Sequence, residues 1–358
     1  MTVAGFDVHA RSIDGAAVHV PTGELLRIRF GGDVVGPVEW LRSLPGPVRA
    51  CYEAGPTGFG FYRAAVAAGI DMRVVAPGKT PRASGDRVKT DRKDAERLAR
   101  LLLAGQLKAI AVPSPRVEAA RELVRGHDAV RRDLMTARHR VSKMLLRHGL
   151  VYPDKHSTWT TRHRTWLSRQ RFDEPVSELA FADLLAAVDG LTARKAALAE
   201  RISRLALDEQ WWPTVQRLRA FRAIDTLTAL AIHLELSGDW RRFGTPRALG
   251  AWLGLTPSLE QSGQSSRAGS ITKTGSTLAR RLLVEAAWHY ARPPRIGATL
   301  ANRQAGQPDH ILQISYRAQQ RLHRVHRSMR ARGKHGNVIV VSAARELACF
   351  LWAAATAD

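Results

Sequence analysis

Cysteine is almost missing from this sequence, which holds only Cys51 and Cys349 in 358 residues. Both sit in apolar settings, RACYEA and LACFLW, without a CxxC partner, so a disulfide framework is excluded and no zinc-ligand spacing is readable. The 13 histidines are scattered with no HExxH or Cys/His pattern, which argues against zinc again. No segment reaches the roughly 18 uninterrupted apolar residues of a membrane span. The opening MTVAGFDVHA has no basic flank leading into an apolar stretch, so a cytoplasmic protein with no membrane partner is expected. A Walker loop is absent, which leaves ATP without a binding motif. No internal repeat is visible.

Acidic residues are also in deficit. Against 32 Asp and Glu stand 55 Lys and Arg, a formal net charge of +23, and such an excess calls for a polyanionic partner. Most of these cations would serve backbone phosphates, giving steep salt dependence rather than sequence choice. At 45% hydrophobic content the chain can bury a large core, and its length fits two or three domains.

The first hundred residues alternate strand-like and helix-like pieces, an α/β pattern. Strands are expected at Thr2 to Phe6, Gly15 to Val20, Leu25 to Phe30, Val48 to Tyr52 and Met72 to Val75, with a hairpin-like turn at Pro21-Thr22-Gly23. Helices are expected around Val35 to Leu44 and Gly58 to Ala68. From Arg116 the pattern becomes long helices. Leu123, Val130, Leu134, Ala137, Val141 and Met144 keep three-and-four spacing in one, and Leu184, Val188, Leu191, Leu198, Ile202 and Leu205 in another. Two such heptad-like helices, joined by the Trp-containing stretch Tyr152 to Arg171, read as an antiparallel hairpin or a dimerising coiled coil. Beyond Val215 come short helices, a Gly/Ser-rich loop from Pro257 to Gly275, a basic helix from Ile311 to Arg332, and an apolar strand-helix segment from Val338 to Ala355.

Four carboxylates have a common meeting point. Asp7 and Glu53 each follow a strand, at the sheet edge where α/β folds place their chemistry. The helix opened by KTDRKDAERLARLL carries Asp91 and Asp94 three apart on one face. Singly, each also reads as a helix cap, a solvated surface group or a strand-end charge. Together they would repel one another unless a cation neutralised them, and hard oxygen donors suit one or two Mg2+ or Mn2+ ions. Such a site polarises a phosphate for in-line displacement. Arg82, Arg87, Lys89, Arg92 and Lys93 would hold a strand of DNA against it.

Elsewhere the signals are looser. Leu218 to Leu255 reads as paired helices with a tight turn at Ala223-Ile224-Asp225, similar to a helix-hairpin-helix with alanine where glycine is usual, or as core packing. Arg321, Arg324 and Arg327 at helical spacing fit either a solvated face or a phosphate track.

The order GFDVHA, CYEAGPTG, VKTDRKDAERLARLL and GLTPSLEQSGQSSRAGSITKTGSTLARRLLVEAAW resembles the DEDD-type transposases of bacterial insertion sequences, the group numbered one hundred and ten. The resemblance runs nearly end to end. It implies a multi-domain α/β plus α protein with a RuvC-like catalytic domain of RNase H fold at 1–114. A helical coiled-coil insertion for oligomerisation would follow at 115–207 and a mostly helical transposase domain at 208–332. A C-terminal strand-helix piece at 333–358 would pack back on the core.

By position, Asp7, Glu53, Asp91 and Asp94 are the DEDD set holding Mg2+, with Mn2+ as the alternative ion. Ser262 is the serine nucleophile of the Ser-Gly segment ahead of Gly269-Ser270-Ile271-Thr272-Lys273. Two departures stand out: Gln261 precedes Ser262 where the family commonly doubles the serine, with Ser265 and Ser266 close by, and Ala10 stands where lysine is common. Nucleic-acid contacts are expected from Arg82, Lys89, Lys93, Arg267, Lys273, Arg280, Arg281, Arg321 and Arg324.

The resemblance further implies a nucleoid-associated recombinase guided by a structured noncoding bridge RNA, acting on donor and target DNA as a dimer to tetramer. In such an assembly the acidic domain of one protomer would complete the serine site of another. Base pairing would supply sequence choice, as in other RNA-guided systems. A serine hydroxyl needs activation. Its attack would conserve bond energy in a phosphoserine link. Two rivals are a metal-dependent nuclease or Holliday-junction resolvase without a covalent intermediate, and a non-catalytic nucleic-acid-binding protein.

Overall fold

A computed structural model describes residues 1–81, 91–154, 158–263 and 265–357 of the protein. The chain divides into two compact units, Met1–Val112 and Pro113–Asp358. The first is a mixed α/β layer structure and the second is almost wholly helical.

In the first unit a five-stranded sheet has the order β3-β2-β1-β4-β5. Strand β1 (Thr2–Val8) pairs antiparallel with β2 (Ser12–His19), and β2 antiparallel with β3 (Glu24–Gly31). On its other side β1 runs parallel to β4 (Val48–Glu53), which runs parallel to β5 (Asp71–Val75). Strand alternation sorts the side chains into two faces. Ala4, Phe6, Ile13, Ala17, Ala50 and Tyr52 meet Leu41 of α1 (Val35–Ser43) with Phe61 and Ala65 of α2 (Gly60–Ala67). Val3, Cys51 and Val75 face the other way, onto Leu98 and Leu102 of α3 (Asp91–Leu103).

Gly5 sets how closely α3 lies on β1. A Cβ there would stand 2.3 Å from the Ala95 carbonyl oxygen and 2.4 Å from the Ala99 nitrogen, so only glycine permits this approach. The N-terminal turn of α3 is thereby held near Asp7, two residues along the same strand face.

The second unit opens with α4 (Pro115–Arg147). After α5 (Thr161–Ser168) comes α6 (Pro175–Leu205). The C-terminal half of α4, from Leu134 to Leu145, packs with Phe181 and Val188 early in α6. Its N-terminal half, through Val117, Ala120 and Val124, shares a cluster with Ile202 late in α6. The two long helices therefore pair antiparallel within one chain. The rest of that cluster comes from α7 (Trp212–Leu218), α8 (Thr226–Glu235), α9 (Pro246–Trp252), α10 (Thr277–Trp288), α12 (Asp309–Ala331) and α13 (Gly336–Thr356), with α11 (Ala298–Gln304) beside them.

Two expectations fail here. Val338 to Ala355 is helix throughout and contains no strand. The run Val338, Ile339, Val340, Val341 has β-branched side chains that favour strands. Burial of Ile339, Val340, Ala343, Ala344, Leu347, Ala348, Leu351 and Ala354 follows helical spacing and decides the matter. This helix is 21 residues long with mean hydropathy 1.7, enough to cross a membrane by length and composition, yet these residues lie in the core.

The stretch Pro257 to Gly275 is not an irregular loop. It forms a two-stranded antiparallel hairpin of β6 (Pro257–Ser262) and β7 (Ser265–Ile271), because alternating Ser, Leu, Gln and Ile suit a ribbon and Gly263, at φ +54, makes its turn.

Candidate active site

The acidic centre is built on the face that α3 covers. Phe6 pairs with Tyr52 across β1 and β4, so Asp7 and Glu53 are the next step along adjacent parallel strands. Asp91 is the first residue of α3 and Asp94 lies one turn on. His9 completes the group: its Nε2 is 3.4 Å from Asp7 Oδ2 and 3.7 Å from Asp91 Oδ1. The ligand atoms of Asp7, His9 and Asp91 all fall within 4.8 Å of one another. Asp94 is held by an ion pair to Arg97 at 2.7 Å.

Electrostatics marks Asp7 as the focus. Burial holds its carboxyl above the ordinary carboxylate value; His9 opposes that shift, and the negative charges of Asp91 and Asp94 add to it. Glu53 stands outside the close group, but its buried Oε1 has no hydrogen-bond partner among the described residues. An orphaned buried oxygen costs about 1–3 kcal/mol, and a bound cation is the simplest compensation. The carboxylates of Asp7 and Asp91 with the His9 imidazole offer converging ligand atoms for a divalent ion such as Mg2+ or Mn2+, with the Asp94 charge acting on Asp7 beside them. Arg82 and Lys89 lie outside the described residues, and Lys93 is exposed on the first turn of α3. The motif reading overlooked His9, although period-two alternation puts residues 7 and 9 on one face.

Ser262 belongs to the second unit. It is exposed, ends β6, and pairs with Ser265 across the turn. Its hydroxyl forms no hydrogen bond with described residues. The hairpin is rooted at its base. Thr272 N donates to Thr256 O (2.9 Å) and Lys273 N to Gly254 O (3.1 Å). Gly254 and Gly275, at φ +65 and +69, leave no room for a side chain: a Cβ would stand 2.2 Å from Thr274 N and 2.1 Å from Trp252 O respectively.

The basic residues divide into two groups. Arg280 Nη1 donates to the Leu253 and Thr274 carbonyls at 2.9 and 2.7 Å, which clamps the hairpin base. Arg281 bonds Asp128 and Glu285, each at 2.7 Å, and Arg321 forks onto Glu346 at 2.8 and 2.9 Å. Arg267, across from Glu260, and Lys273 are exposed on or beside the hairpin. Arg324 lines an open groove of about 800 Å³ with His323, Arg327 and Arg330. Between α7 and α8, Ala223 adopts φ +63, the backbone that glycine would take in such a turn. Leu218, Phe221 and Ile224 around it are fully buried, so packing fixes this connection.

Acidic groups gathered at the ends of adjacent strands, with a separate serine hairpin on a helical unit, fit a DNA-processing enzyme, and comparison with known proteins narrows this to an insertion-sequence transposase. Residues 4–149 match the DEDD-type IS110 transposase model, and residues 215–300 match the Transposase IS116/IS110/IS902 family. The chain belongs to this IS110/IS116/IS902 transposase family. It is 38% identical over 358 residues to "Putative transposase y4qE" of Sinorhizobium fredii, covering 98% of this chain and 87% of that protein. Similarity to "Transposase for insertion sequence element IS1533" of Leptospira borgpetersenii is 29% over 337 residues, covering 92% and 97%. "Probable family 20 transposase" of Pseudomonas aeruginosa is 28% identical over 253 residues, 70% and 72% of the two chains.

Proposed function

We propose that the protein is an RNA-guided serine recombinase of its insertion sequence, using a divalent-metal DEDD site and Ser262 for strand exchange. The observation that carries the metal site is the convergence of Asp7, His9 and Asp91 beside a charge-stressed Asp7. The sheet order β3-β2-β1-β4-β5, with β2 antiparallel to its neighbours, supports the RuvC-like reading of residues 1–114. The antiparallel pair α4 and α6 supports the helical insertion at 115–207, and the hairpin lies within the transposase domain at 208–332. Within the C-terminal piece proposed at 333–358, α13 packs into the core as helix.

A bound Mg2+ or Mn2+ supplies Lewis-acid polarisation of the scissile phosphate. Asp7, Asp91, Asp94 and Glu53 would hold that ion, and His9 would orient the first two. Arg267 and Lys273 draw the phosphate to the exposed hairpin. Ser262 Oγ forms a bond to phosphorus as the sugar oxygen departs, and a sugar hydroxyl of the incoming strand later reverses the step. Because two DNAs are cut and exchanged, several protomers are required, with guide RNA and DNA held by the +23 surface.

Metal-dependent cleavage of donor DNA in the presence of the element's flanking RNA tests this reading. Asp7→Ala and Asp94→Ala should abolish cleavage while retaining RNA binding. Cleavage that persists in EDTA would reject the metal site, and cleavage retained by Ser262→Ala would turn the reading to a water-activating nuclease.

A further inference from the structure

Asp14 is the most unusual charged residue in the first unit. It is 1% exposed, and neither carboxylate oxygen has a hydrogen-bond partner among the described residues. Arg29, directly opposite on β3, forms an ion pair with it, Nε to Oδ2 at 3.8 Å, from a side chain that is 60% exposed. Buried carboxylates are normally hydrogen-bonded as well as charge-paired, and this one keeps a single long ion pair among the described residues. Its place in the sheet supplies the reason. Asp14 is the direct antiparallel partner of Asp7 in the β1–β2 register. Directly opposed residues share a face. Asp14, Asp7 and Glu53 thus form a row across β2, β1 and β4 on the α3 side, with buried oxygens that lack a hydrogen bond among the described residues on both flanks of Asp7.

We propose that Asp14 is a fifth carboxylate of the acidic centre, a positioning residue that helps hold the hydrated divalent cation alongside Asp7. No motif assigns it this role, and the inference rests on the metal site proposed above. A cation beside Asp7 would give Asp14, which the fold buries without a hydrogen bond among the described residues, a second electrostatic partner besides Arg29. Mg2+ retains several waters when protein-bound, so a carboxylate next to a direct ligand has water protons to accept.

The test measures free Mn2+ by electron paramagnetic resonance during titration of the full-length protein. Parent, Asp14→Asn, Asp7→Asn and the exposed control Glu24→Gln are compared, with melting temperatures in EDTA and in Mn2+. Asp14→Asn should weaken Mn2+ binding at least about tenfold, in the range outer groups of metal sites show. In EDTA it should melt close to the parent temperature, since the buried carboxylate it removes keeps only one long ion pair among the described residues, and the Mn2+-induced rise in melting temperature should shrink. Asp14→Ala gives the same comparison should the asparagine variant fail to fold. Mn2+ affinity within twofold of parent in a folded Asp14 variant, with Asp7→Asn weakened, would overturn this inference alone. Unchanged affinity in Asp7→Asn would overturn the centre itself.

Discussion

Two glycines at the root of the serine hairpin allow a sharp comparison with a third at its tip. Gly275 and Gly263 both have positive φ, at +69 and +54, but their surroundings differ. At Gly263 a Cβ would meet nothing within 4 Å. Gly263→Ala should therefore cost only the left-handed backbone strain, about 1 kcal/mol. At Gly275 the same Cβ would lie 2.1 Å from Trp252 O, so the backbone must move by more than 1 Å. That shift disrupts the bonds from Lys273 N to Gly254 O and from Arg280 to Leu253 O. At about 1 kcal/mol for each bond, Gly275→Ala should cost about 3–4 kcal/mol. For a unit of this size each kcal/mol moves the melting temperature by roughly 2–4 °C, so Gly275→Ala should melt about 5–10 °C below Gly263→Ala. Differential scanning fluorimetry reads the shift, and limited proteolysis within 257–271 reads the loosened hairpin. Equal melting temperatures and equal proteolysis for the two variants would refute the rooted-hairpin reasoning.

Three further outcomes follow from buried groups and strain. Glu235 is pushed up by burial, but hydrogen bonds from Arg125 and Ser276 and the charges of Arg125 and Arg121 bring it net below its ordinary value. Its stabilising contribution is therefore present above about pH 4.5 and lost as pH falls through its lowered pKa, and Glu235→Gln should flatten the acid limb of a melting-temperature profile. Asp7 shows the opposite sign: its raised pKa contributes stability at low pH that is lost as pH rises through it, and a cation must displace its proton. Mn2+ affinity should thus fall about tenfold per pH unit below the Asp7 pKa, and a calorimetric titration showing no loss of affinity as pH is lowered from neutral through the carboxylate range would contradict this. Ala223→Gly should raise stability by about 0.5–1 kcal/mol, because relief of left-handed strain exceeds the entropy glycine adds to the unfolded chain, whereas a lower melting temperature would count against strain at this turn.

Legibility in the sequence followed the range of the interactions. Local periodicity was enough for the strands that carry Asp7 and Glu53 and for the amphipathic seams of α4 and α6. Asp7 and Asp91 meet as their motif positions imply, because Gly5 lets α3 lie directly on β1. Composition misled at Pro257 to Gly275, where serine and glycine suggested an irregular loop but the backbone pairs as a ribbon. β-branched residues misled at the start of α13, where burial outweighs propensity. Charge alone also said little about individual arginines. Arg281 finds Asp128 and Arg321 finds Glu346 through tertiary packing that no local spacing encodes. Asp14 was readable only with the register: the strand expected at Gly15 to Val20 left it outside, whereas β2 begins at Ser12 and pairing sets Asp14 opposite Asp7.

The central claim is that DNA strands are exchanged through a covalent bond to Ser262. The direct test incubates purified protein with the element's flanking RNA, Mg2+ and labelled donor and target DNA, then resolves protein-DNA adducts on denaturing gels. The account predicts an adduct that needs RNA and Mg2+ and disappears in Ser262→Ala. Recombinant product formed by Ser262→Ala, or cleavage by the parent with no adduct at any time point, would contradict it.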